Sequence, residues 1–364
     1  MAVSVKKIMD KKAHQFMEAY LNNPSPTSYE WSGQKIWLDY IKPYIDEYQV
    51  DNYGTVYGVI NPGHDYKVVI EAHADEISWY VKHITDEGYI YVTRNGGSDH
   101  QIAPAKRLNI HTEKGIVKGV FGWPAIHLRN GAKEESPTMK NIFVDVGCNS
   151  KKEVLELGIH VGTVMTFEDE FFVLNDRFYT GRALDNRMGG FCIAQVARLL
   201  HEKKAKLPYS LYIINAVQEE VGLNGAKMVV EQIRPNVAIV TDVAHDTTTP
   251  MIKKTERGEF QCGKGPIVTH APAVQMNLLK LIKKAAADNK IPLQLEASSR
   301  STGTDTDAFA FGAGGVVSAL ISIPLKYMHT TNEMAHKDDI DKVIQLYYHS
   351  LLAIEENHDF RYFS

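Results

Sequence analysis

The second half of the chain shows a regular alternation of two hydrophobic patterns. Stretches with an apolar residue at every third or fourth position, typical of helices packed on a core, alternate with short apolar runs, typical of buried strands. From about residue 180 onward, the pattern predicts helices at 186–203, 222–233, 274–289 and 338–355 and strands at 209–217, 237–242 and 315–323. Strands that alternate with helices predict an α/β fold, a mainly parallel sheet flanked by helices on both faces.

The first part of the chain begins in the same way and then changes. Helices are predicted at 9–21 and 33–48, and a buried strand at 66–72. In the segment that follows, short strand-like runs are separated by glycine, asparagine and aspartate, which is typical of a small all-β unit. We therefore predict one discontinuous α/β domain, residues 1–76 and 172–364, with an inserted β-barrel-like domain, residues 77–171.

Composition and charge narrow the classes of function. The chain has 364 residues, of which 44% are hydrophobic, so it can bury a large core. Its 40 Lys and Arg residues against 44 Asp and Glu residues give a formal charge of -4, and no basic block stands out, so we expect no nucleic-acid partner. The longest apolar stretch, 311–324, is interrupted by glycines and is shorter than the roughly 20 residues of a membrane helix, so we expect no membrane association.

The N-terminal stretch and the cysteines bear on where the protein works. Residues 1–16 contain no apolar segment of the kind that a signal peptide needs, so we expect none. Cys148, Cys192 and Cys262 are few and far apart, which argues against a disulfide framework and fits a reducing compartment. Because no CxxC pair is present, a thiolate zinc site is not expected. We predict a cytoplasmic protein.

The first candidate for chemistry is a histidine followed by a carboxylate two positions later. His73 and Asp75 come directly after the predicted strand 66–72, and in extended chain such positions share one face. His73 can therefore bind a metal ion while Asp75 accepts its other ring N–H and fixes the tautomer. Taken alone, a loop histidine with a nearby carboxylate is an equally good interpretation.

Two further candidates lie next to other predicted elements. Asp185 comes just before a predicted helix, where capping of that helix by Asp185 or Asn186 is the simpler explanation. Glu219 and Glu220 follow the apolar strand 209–217, and two adjacent buried carboxylates are costly unless a cation compensates for them. The alternative there is a solvated strand end.

Asp242 and His329 complete the set of candidates. Asp242 ends the predicted strand 237–242, and His329 follows the strand 315–323 and a turn, so each has an ordinary explanation in isolation. Together, however, two histidines and several carboxylates at the strand ends of one sheet form a nitrogen and oxygen ligand set, which suits zinc, cobalt or manganese. A carboxylate that bridges two such ions, about 3.5–4 Å apart, gives the two-metal site of aminopeptidases.

The order of these segments resembles a known family over nearly the whole chain. AHADE, ALDNR, QEEVG, a strand-terminal TD and MHT resemble the M42 family of metallo-aminopeptidases. The resemblance implies a zinc-peptidase-like catalytic domain with two divalent metal ions per subunit, zinc in preference to cobalt or manganese. The residues it implies as metal ligands are His73 and Asp242 for one ion, Glu220 and His329 for the other, and Asp185 as the bridge.

The same resemblance assigns roles in catalysis and substrate binding. Glu219 is implied as the general base, and Asp75 as the carboxylate that orients the metal-binding histidine next to it. The family's Gly-Thr-Asp-Ala stretch appears here as GTDTDA, so Thr304 and Asp305 are implied as substrate contacts, with Asp307 as the alternative acid. The implied reaction removes the N-terminal residue of a peptide by means of a water molecule activated between the metals. The free α-amine is then held by a metal ion or by Asp305.

Assembly and local geometry also follow from the resemblance. The β-rich insertion resembles the family's dimerisation domain, so we expect a homo-oligomer, up to a dodecamer built from dimers. Asp185 is implied to form a cis peptide bond with Asn186. The histidines outside the implied ligand set, His127, His245 and His336, are interpreted as non-ligands.

Other functions use some of the same residues. A two-metal deacylase or carboxypeptidase of related fold is the nearest alternative, but such enzymes place their small domain later in the chain. A glycosidase that uses Glu219 does not need the two histidines, and a non-catalytic peptide-binding protein does not need a base. The preferred N-terminal residue stays open, because the cations Lys264, Arg257 and Arg300 cannot be placed against a substrate from sequence alone.

Overall fold

The structure is a computed structural model that describes residues 8–129, 131 and 134–363. The first seven residues, which belong to the stretch where we expect no signal peptide and to the predicted first domain, lie outside this description. The described helices are α1 (Lys11–Asn22), α2 (Trp31–Ile41), α3 (Lys151–Glu156), α4 (Leu184–Glu202), α5 (Asn224–Ile233), α6 (Lys254–Arg257), α7 (Met276–Asp288), α8 (Asp305–Phe311) and α9 (Lys337–Ala353). None of these helices has the length and apolar content needed to span a membrane.

The strands fall into a large sheet and a barrel. The strands of the large sheet are β1 (Glu47–Val50), β2 (Val56–Ile60), β3 (Lys67–His73), β10 (Phe172–Leu174), β11 (Phe178–Gly181), β12 (Ser210–Ala216), β13 (Val237–His245), β14 (Ile267–His270), β15 (Gln294–Ala297), β16 (Val317–Lys326) and β17 (Glu333–His336). Those of the barrel are β4 (Ser78–Ile84), β5 (Ile90–Asn95), β6 (Arg107–Thr112), β7 (Gly115–Gly122), β8 (Phe143–Asp145) and β9 (Val164–Phe167).

The centre of the large sheet is parallel, and most of the pairings outside it are antiparallel. The strand order is β1-β2-β12-β3-β13-β16-β17-β11-β10, with β14 paired to β16 and β15 paired to β14. The four neighbouring strands β12, β3, β13 and β16 run parallel, as the alternation of strands and helices predicts. The pairings of β2 with β12 and of β16 with β17 and β14 are antiparallel, so the sheet as a whole is mixed.

The apolar runs in the sequence become the buried middle of this sheet. In β3, β13 and β16 almost every residue is buried, the pattern expected for strands covered by helices on their faces. Helix α4 packs on β3, β12 and β13 and contacts α1, α2 and α9, while α8 packs on β13 and β16 and contacts α5. The parallel strands therefore end at a common edge that a rigid core holds in place.

The inserted segment forms a closed barrel with a core of its own. Its strands follow the order β4-β5-β8-β7-β6-β9, all neighbours are antiparallel, and β9 closes the barrel onto β4. Trp79 is fully buried at its centre and makes edge contacts with Phe121 and Phe167, at centroid distances of 5.3 and 6.3 Å. The β-barrel-like insertion that the sequence predicts is thus confirmed.

The structure corrects one predicted helix. The predicted helix 33–48 corresponds to α2, but α2 ends at Ile41 and is followed by a 3-10 turn, Lys42–Tyr44. Pro43 lacks the backbone N–H that a continuing α-helix requires, which accounts for the early end. Tyr48 lies instead in β1, at the outer edge of the sheet, where its half-exposed position explains the weak strand signal.

Candidate metal centre

The ends of the parallel strands bring the candidate residues together. His73 is the last residue of β3, Asp242 lies in β13, and Glu219 and Glu220 follow β12. His329 comes after β16, with a left-handed backbone (φ 60°) that turns its side chain back toward the sheet. Because these strands run parallel, side chains that are far apart in sequence meet at one edge of the sheet.

Asp185 lies between the two histidines. Its Oδ1 is 3.2 Å from Nε2 of His73, and its Oδ2 is 3.1 Å from Nε2 of His329. The peptide bond between Asp185 and Asn186 is cis, as the resemblance implies. The side chain of Asn186 donates to the carbonyl oxygen of Thr241 at 2.6 Å and so ties this bend to β13. Each carboxylate oxygen of Asp185 therefore faces a different histidine.

Besides a group of His73, Glu219 and Glu220, the donor atoms form two groups around Asp185 that could each hold a metal ion. One group consists of His73, Asp185 and Asp242, and the other of Asp185, Glu220 and His329; within each, the donor atoms lie within 4.8 Å of one another. Nε2 of His329 is also 3.4 Å from Oε1 of Glu220. These groups coincide with the two ligand sets that the resemblance implies, and they share only Asp185.

Asp75 contacts His73 and the loop that carries Glu219 and Glu220. Its Oδ1 is 3.3 Å from Nδ1 of His73, on the side of the ring opposite the donor cluster. The same carboxylate accepts the backbone N–H groups of Glu219, at 3.0 Å, and of Glu220, at 3.2 Å, and the hydroxyl of Thr27, at 2.8 Å. Asp75 therefore contacts the edge of the imidazole and fixes the loop that carries both glutamates.

The cluster contains several buried carboxylates whose pKa values are raised. Burial raises the pKa of Glu219 to about 10, with the charges of Asp242 and Asp305 adding to the effect, and burial also raises the pKa of Glu220 and of Asp242. No lysine or arginine of the described chain lines the cavity around these carboxylates. Buried carboxylates with no lysine or arginine beside them, combined with two imidazole nitrogens, make a donor set that divalent metal ions would satisfy.

Two features of the site carry no clear signal in the sequence. Glu333, the first residue of β17, accepts the backbone N–H of Asp185 at 3.0 Å and that of His329 at 2.7 Å. Burial raises its pKa well above the usual range. Gly97, in the loop after β5, lies so close to His329 that an added Cβ would be 2.5 Å from Nδ1. A lone acid on a short strand and a glycine in a predicted turn look ordinary in sequence.

The donor cluster opens into a cavity of about 560 Å³. Thr304 lines this cavity together with Thr302 and Gly303. Asp305 does not line it: the residue is only 1% exposed, and burial followed by the charge of Glu71 raises its pKa well above the usual range. Asp307 is also absent from the lining and accepts the backbone N–H groups of Thr302 and Gly303, both at 3.0 Å.

The remaining candidates of the sequence lie apart from the donor cluster. His127 is exposed in the barrel, and Nδ1 of His336 accepts the N–H of Asp338 at the start of α9. His245 belongs to neither donor group but does form part of the cavity wall. The cations that stood out for substrate recognition, Lys264, Arg257 and Arg300, are not among the described residues that line the cavity.

The chain is similar in sequence and in fold to known proteins. Residues 54–346 match the sequence model of a family described as M42 glutamyl aminopeptidase. The chain is 34% identical to the lysyl aminopeptidase of Pyrococcus furiosus over 337 residues, which cover 91% of this chain and 94% of that protein. The fold is similar to that of a TET aminopeptidase from a marine sediment Thaumarchaeota archaeon, with a TM-score of 0.89 and 28% identity over 93% and 96% of the two chains. It is also similar to the TET1 peptidase of Pyrococcus horikoshii, with a TM-score of 0.81 and 27% identity over 93% and 98%.

Proposed function

The chain belongs to the M42 glutamyl aminopeptidase family and is a metallo-aminopeptidase, and from this premise we propose how its residues carry out the reaction. The proposed activity is hydrolysis of the first peptide bond of peptides with a free N-terminus at a centre of two metal ions. The observation that carries the proposal is the position of Asp185, whose two oxygens belong to two separate donor groups. One carboxylate shared in this way is the arrangement that a bridged two-metal site requires.

The proposed ligands follow from the two donor groups. His73 and Asp242 would hold one ion, Glu220 and His329 would hold the other, and Asp185 would contribute to both sites. The nitrogen and oxygen donors suit zinc, which we propose as the metal, with cobalt or manganese as alternatives that the same donors accept. Bound there, the ions would lower the pKa of a water molecule and polarise the scissile carbonyl.

Glu219 is the proposed general base. Its side chain lines the cavity and lies beside the cluster, with Oε2 at 3.9 Å from Nε2 of His73. Burial raises the pKa of the carboxyl group, and the nearby positive charge of two ions would favour its ionised form again. Glu219 then takes the proton of the attacking water and returns one to the leaving amine.

Asp75 and Thr304 complete the proposed machinery. Asp75 acts through His73, whose ring it orients, and not on the substrate. Thr304 lines the cavity and is retained as a substrate contact. The buried position of Asp305 favours a supporting role beneath the cavity over direct contact with the free α-amine, which leaves the ions and the cavity carboxylates to hold that amine.

The assembly and location are proposed on related grounds. The TET1 peptidase of Pyrococcus horikoshii can assemble into a tetrahedron or a large octahedral shell, and we propose a homo-oligomer for this chain, up to a dodecamer built from dimers. The insertion at 77–171 is the proposed dimerisation domain, between the catalytic segments 1–76 and 172–364. Ile126 and Leu128 of the barrel, 68% and 81% exposed, offer an apolar surface for such a contact. The free cysteines support a reducing location such as the cytoplasm.

The experiment that tests the proposed function is hydrolysis of aminoacyl-p-nitroanilides. Metal-stripped protein is compared with the same protein after zinc or cobalt is restored, and N-acetylated substrates serve as the matched control. We expect metal-dependent release from unblocked substrates only. Release of p-nitroaniline from the acetylated substrates would show that no free N-terminus is needed. Release of acetate from them would favour a deacylase, and release of residues from the carboxyl end of peptides would favour a carboxypeptidase. Each of these outcomes would contradict the proposal.

A further inference from the structure

The cavity beside the metal centre has an apolar wall and a single acid outside the donor cluster. Leu320, Val243 and Met328 supply apolar surface. Among the described residues that line the cavity, Glu296 is the one carboxylate that belongs neither to the donor groups nor to the proposed base. No lysine or arginine of the described residues lines the cavity. A substrate side chain that enters this space therefore meets hydrocarbon along its length and a negative charge at one point.

The strand β15 holds the side chain of Glu296 toward the protein. Burial alternates along β15: Gln294 and Glu296 are half-buried, whereas Leu295 and Ala297 are exposed. In the parallel pairing of β14 with β15, Thr269 is the partner of Glu296, and its hydroxyl donates to Oε2 of Glu296 at 2.7 Å. Thr269 is only 1% exposed, so this hydrogen bond ties the carboxylate to a rigid part of the sheet.

The histidine next to this acid does not cancel its charge. Burial lowers the pKa of His245, so its imidazole is neutral at neutral pH, even though the carboxylates of Asp185 and Glu296 act in the opposite direction. Arg257 lies with His245 on a neighbouring cavity, where its side chain is exposed to solvent. Its charge acts in the same direction as burial and also lowers the pKa of His245.

We propose that Glu296 selects peptides whose N-terminal residue has a cationic side chain. The inference rests on the proposed aminopeptidase function and names its substrate class. The methylene groups of a lysine or arginine side chain would contact Leu320 and Met328, and the cationic end would pair with Glu296. A glutamate side chain would meet the carboxylate of Glu296, and no lysine or arginine of the described lining balances that charge, so acidic N-termini are disfavoured.

The test compares three p-nitroanilides, those of lysine, norleucine and glutamate, with the zinc-loaded protein. Norleucine is the matched control substrate, because its side chain is unbranched and apolar but lacks the charge. We expect kcat/KM for lysine to exceed that for norleucine about tenfold or more, and glutamate to be the poorest substrate. Glu296→Gln should reduce the ratio of lysine to norleucine to within about threefold. Glu296→Lys should raise the ratio of glutamate to norleucine.

Two further variants distinguish a loss of preference for lysine from an unspecific effect of substitution on the protein. Thr269→Val keeps the shape of the residue but removes the hydroxyl that holds Glu296, so the ratio of lysine to norleucine should fall partway. Glu355→Gln changes an exposed carboxylate after α9, outside the cavity, and should leave the ratio unchanged. A wild-type ratio near one, or an unchanged ratio in Glu296→Gln, would overturn the inference while leaving the proposed function intact.

A second measurement keeps the inference testable if the proposed function fails. If no substrate is hydrolysed under any metal, the aminopeptidase mechanism is wrong, and binding of lysinamide and norleucinamide is measured by calorimetry. Tighter binding of lysinamide that disappears in Glu296→Gln would still support selection of a cationic side chain. Equal binding of the two amides would overturn it.

Discussion

Gly97 of the barrel lies directly against the imidazole of His329, and a Cβ added to Gly97 would be 2.5 Å from Nδ1 of that ring. The adjacent Gly96 has the same relationship to Glu220, with 3.0 Å between the added Cβ and the glutamate Cβ. Both glycines follow β5 directly, so a loop of the insertion forms one wall of the candidate metal centre. The insertion therefore shapes the site as well as lying beside it.

The contact at Gly97 gives the first prediction. In Gly97→Ala the methyl group displaces His329, and we expect the affinity of one metal site to fall about 10- to 100-fold. Metal content after dialysis at graded zinc concentrations measures the loss. Gly131→Ala is the control, because no atom of the described residues lies within 4 Å of its added Cβ. Full retention of two ions in Gly97→Ala would show that His329 is not a ligand.

Substitutions of the adjacent residues Glu219 and Glu220 should affect catalysis and metal binding separately. Glu219→Gln removes the proposed base, so kcat should fall about 10²- to 10⁴-fold while both ions stay bound. Glu220→Gln weakens a proposed metal ligand, so its main effect should be loss of one ion. The two effects are measured on the same preparations, kcat with p-nitroanilides and bound metal by metal analysis. Normal turnover by Glu219→Gln would rule out its role as the base.

Glu333 should stabilise the site through the backbone. Its carboxylate accepts the N–H groups of Asp185 and His329 at 3.0 and 2.7 Å, and an amide in its place would turn one acceptor into a donor. We expect Glu333→Gln to lower the free energy of unfolding by about 1–3 kcal/mol, because a buried N–H loses its partner. Urea unfolding of the metal-free protein measures this, with Glu355→Gln as the surface control. Equal stability of Glu333→Gln and Glu355→Gln would contradict a stabilising role of Glu333.

Because of Asp341, we expect the stability of the fold to depend on pH in a way that does not involve the metal ions. The residue is 6% exposed on α9, and burial, followed by the charge of Asp338, raises its pKa to about 7. Since the folded state holds this proton more tightly than the unfolded state, the wild-type protein loses stability as the pH rises from about 4 to about 7. Asp341→Asn removes that loss, so its stability relative to wild type should rise across this window by up to about 4 kcal/mol.

The measurement for Asp341 is urea unfolding at pH 5 and at pH 8. The difference in free energy of unfolding between variant and wild type should be larger at pH 8. Asp65→Asn, a change at an exposed position, serves as the control and should show the same difference at both pH values. If the difference in free energy of unfolding between Asp341→Asn and wild type were the same at pH 5 and at pH 8, Asp341 would not be protonated in the folded protein.

Local periodicity accounts for the parts of the fold that the sequence predicts well. The strands β3, β12, β13 and β16 are apolar runs because helices cover them, and α4, α7 and α9 have a regular apolar face, so each pattern can be detected within its own segment. The short strands at the margins, such as β1 and β10, are exposed along their length and carry little pattern. Their place in the sheet depends on neighbours that are remote in sequence.

The sequence by itself determined the class of fold and the barrel-like insertion and predicted the residue types of the candidate metal centre, because hydrophobic periodicity and strand-end position are local properties. Only the tertiary structure decided that the two oxygens of Asp185 face different histidines, that Asp305 is buried beneath the cavity and that Glu296 lines it. These features depend on distances and side-chain directions between segments far apart in the chain. Packing of the sheet sets those quantities, and no single segment encodes them.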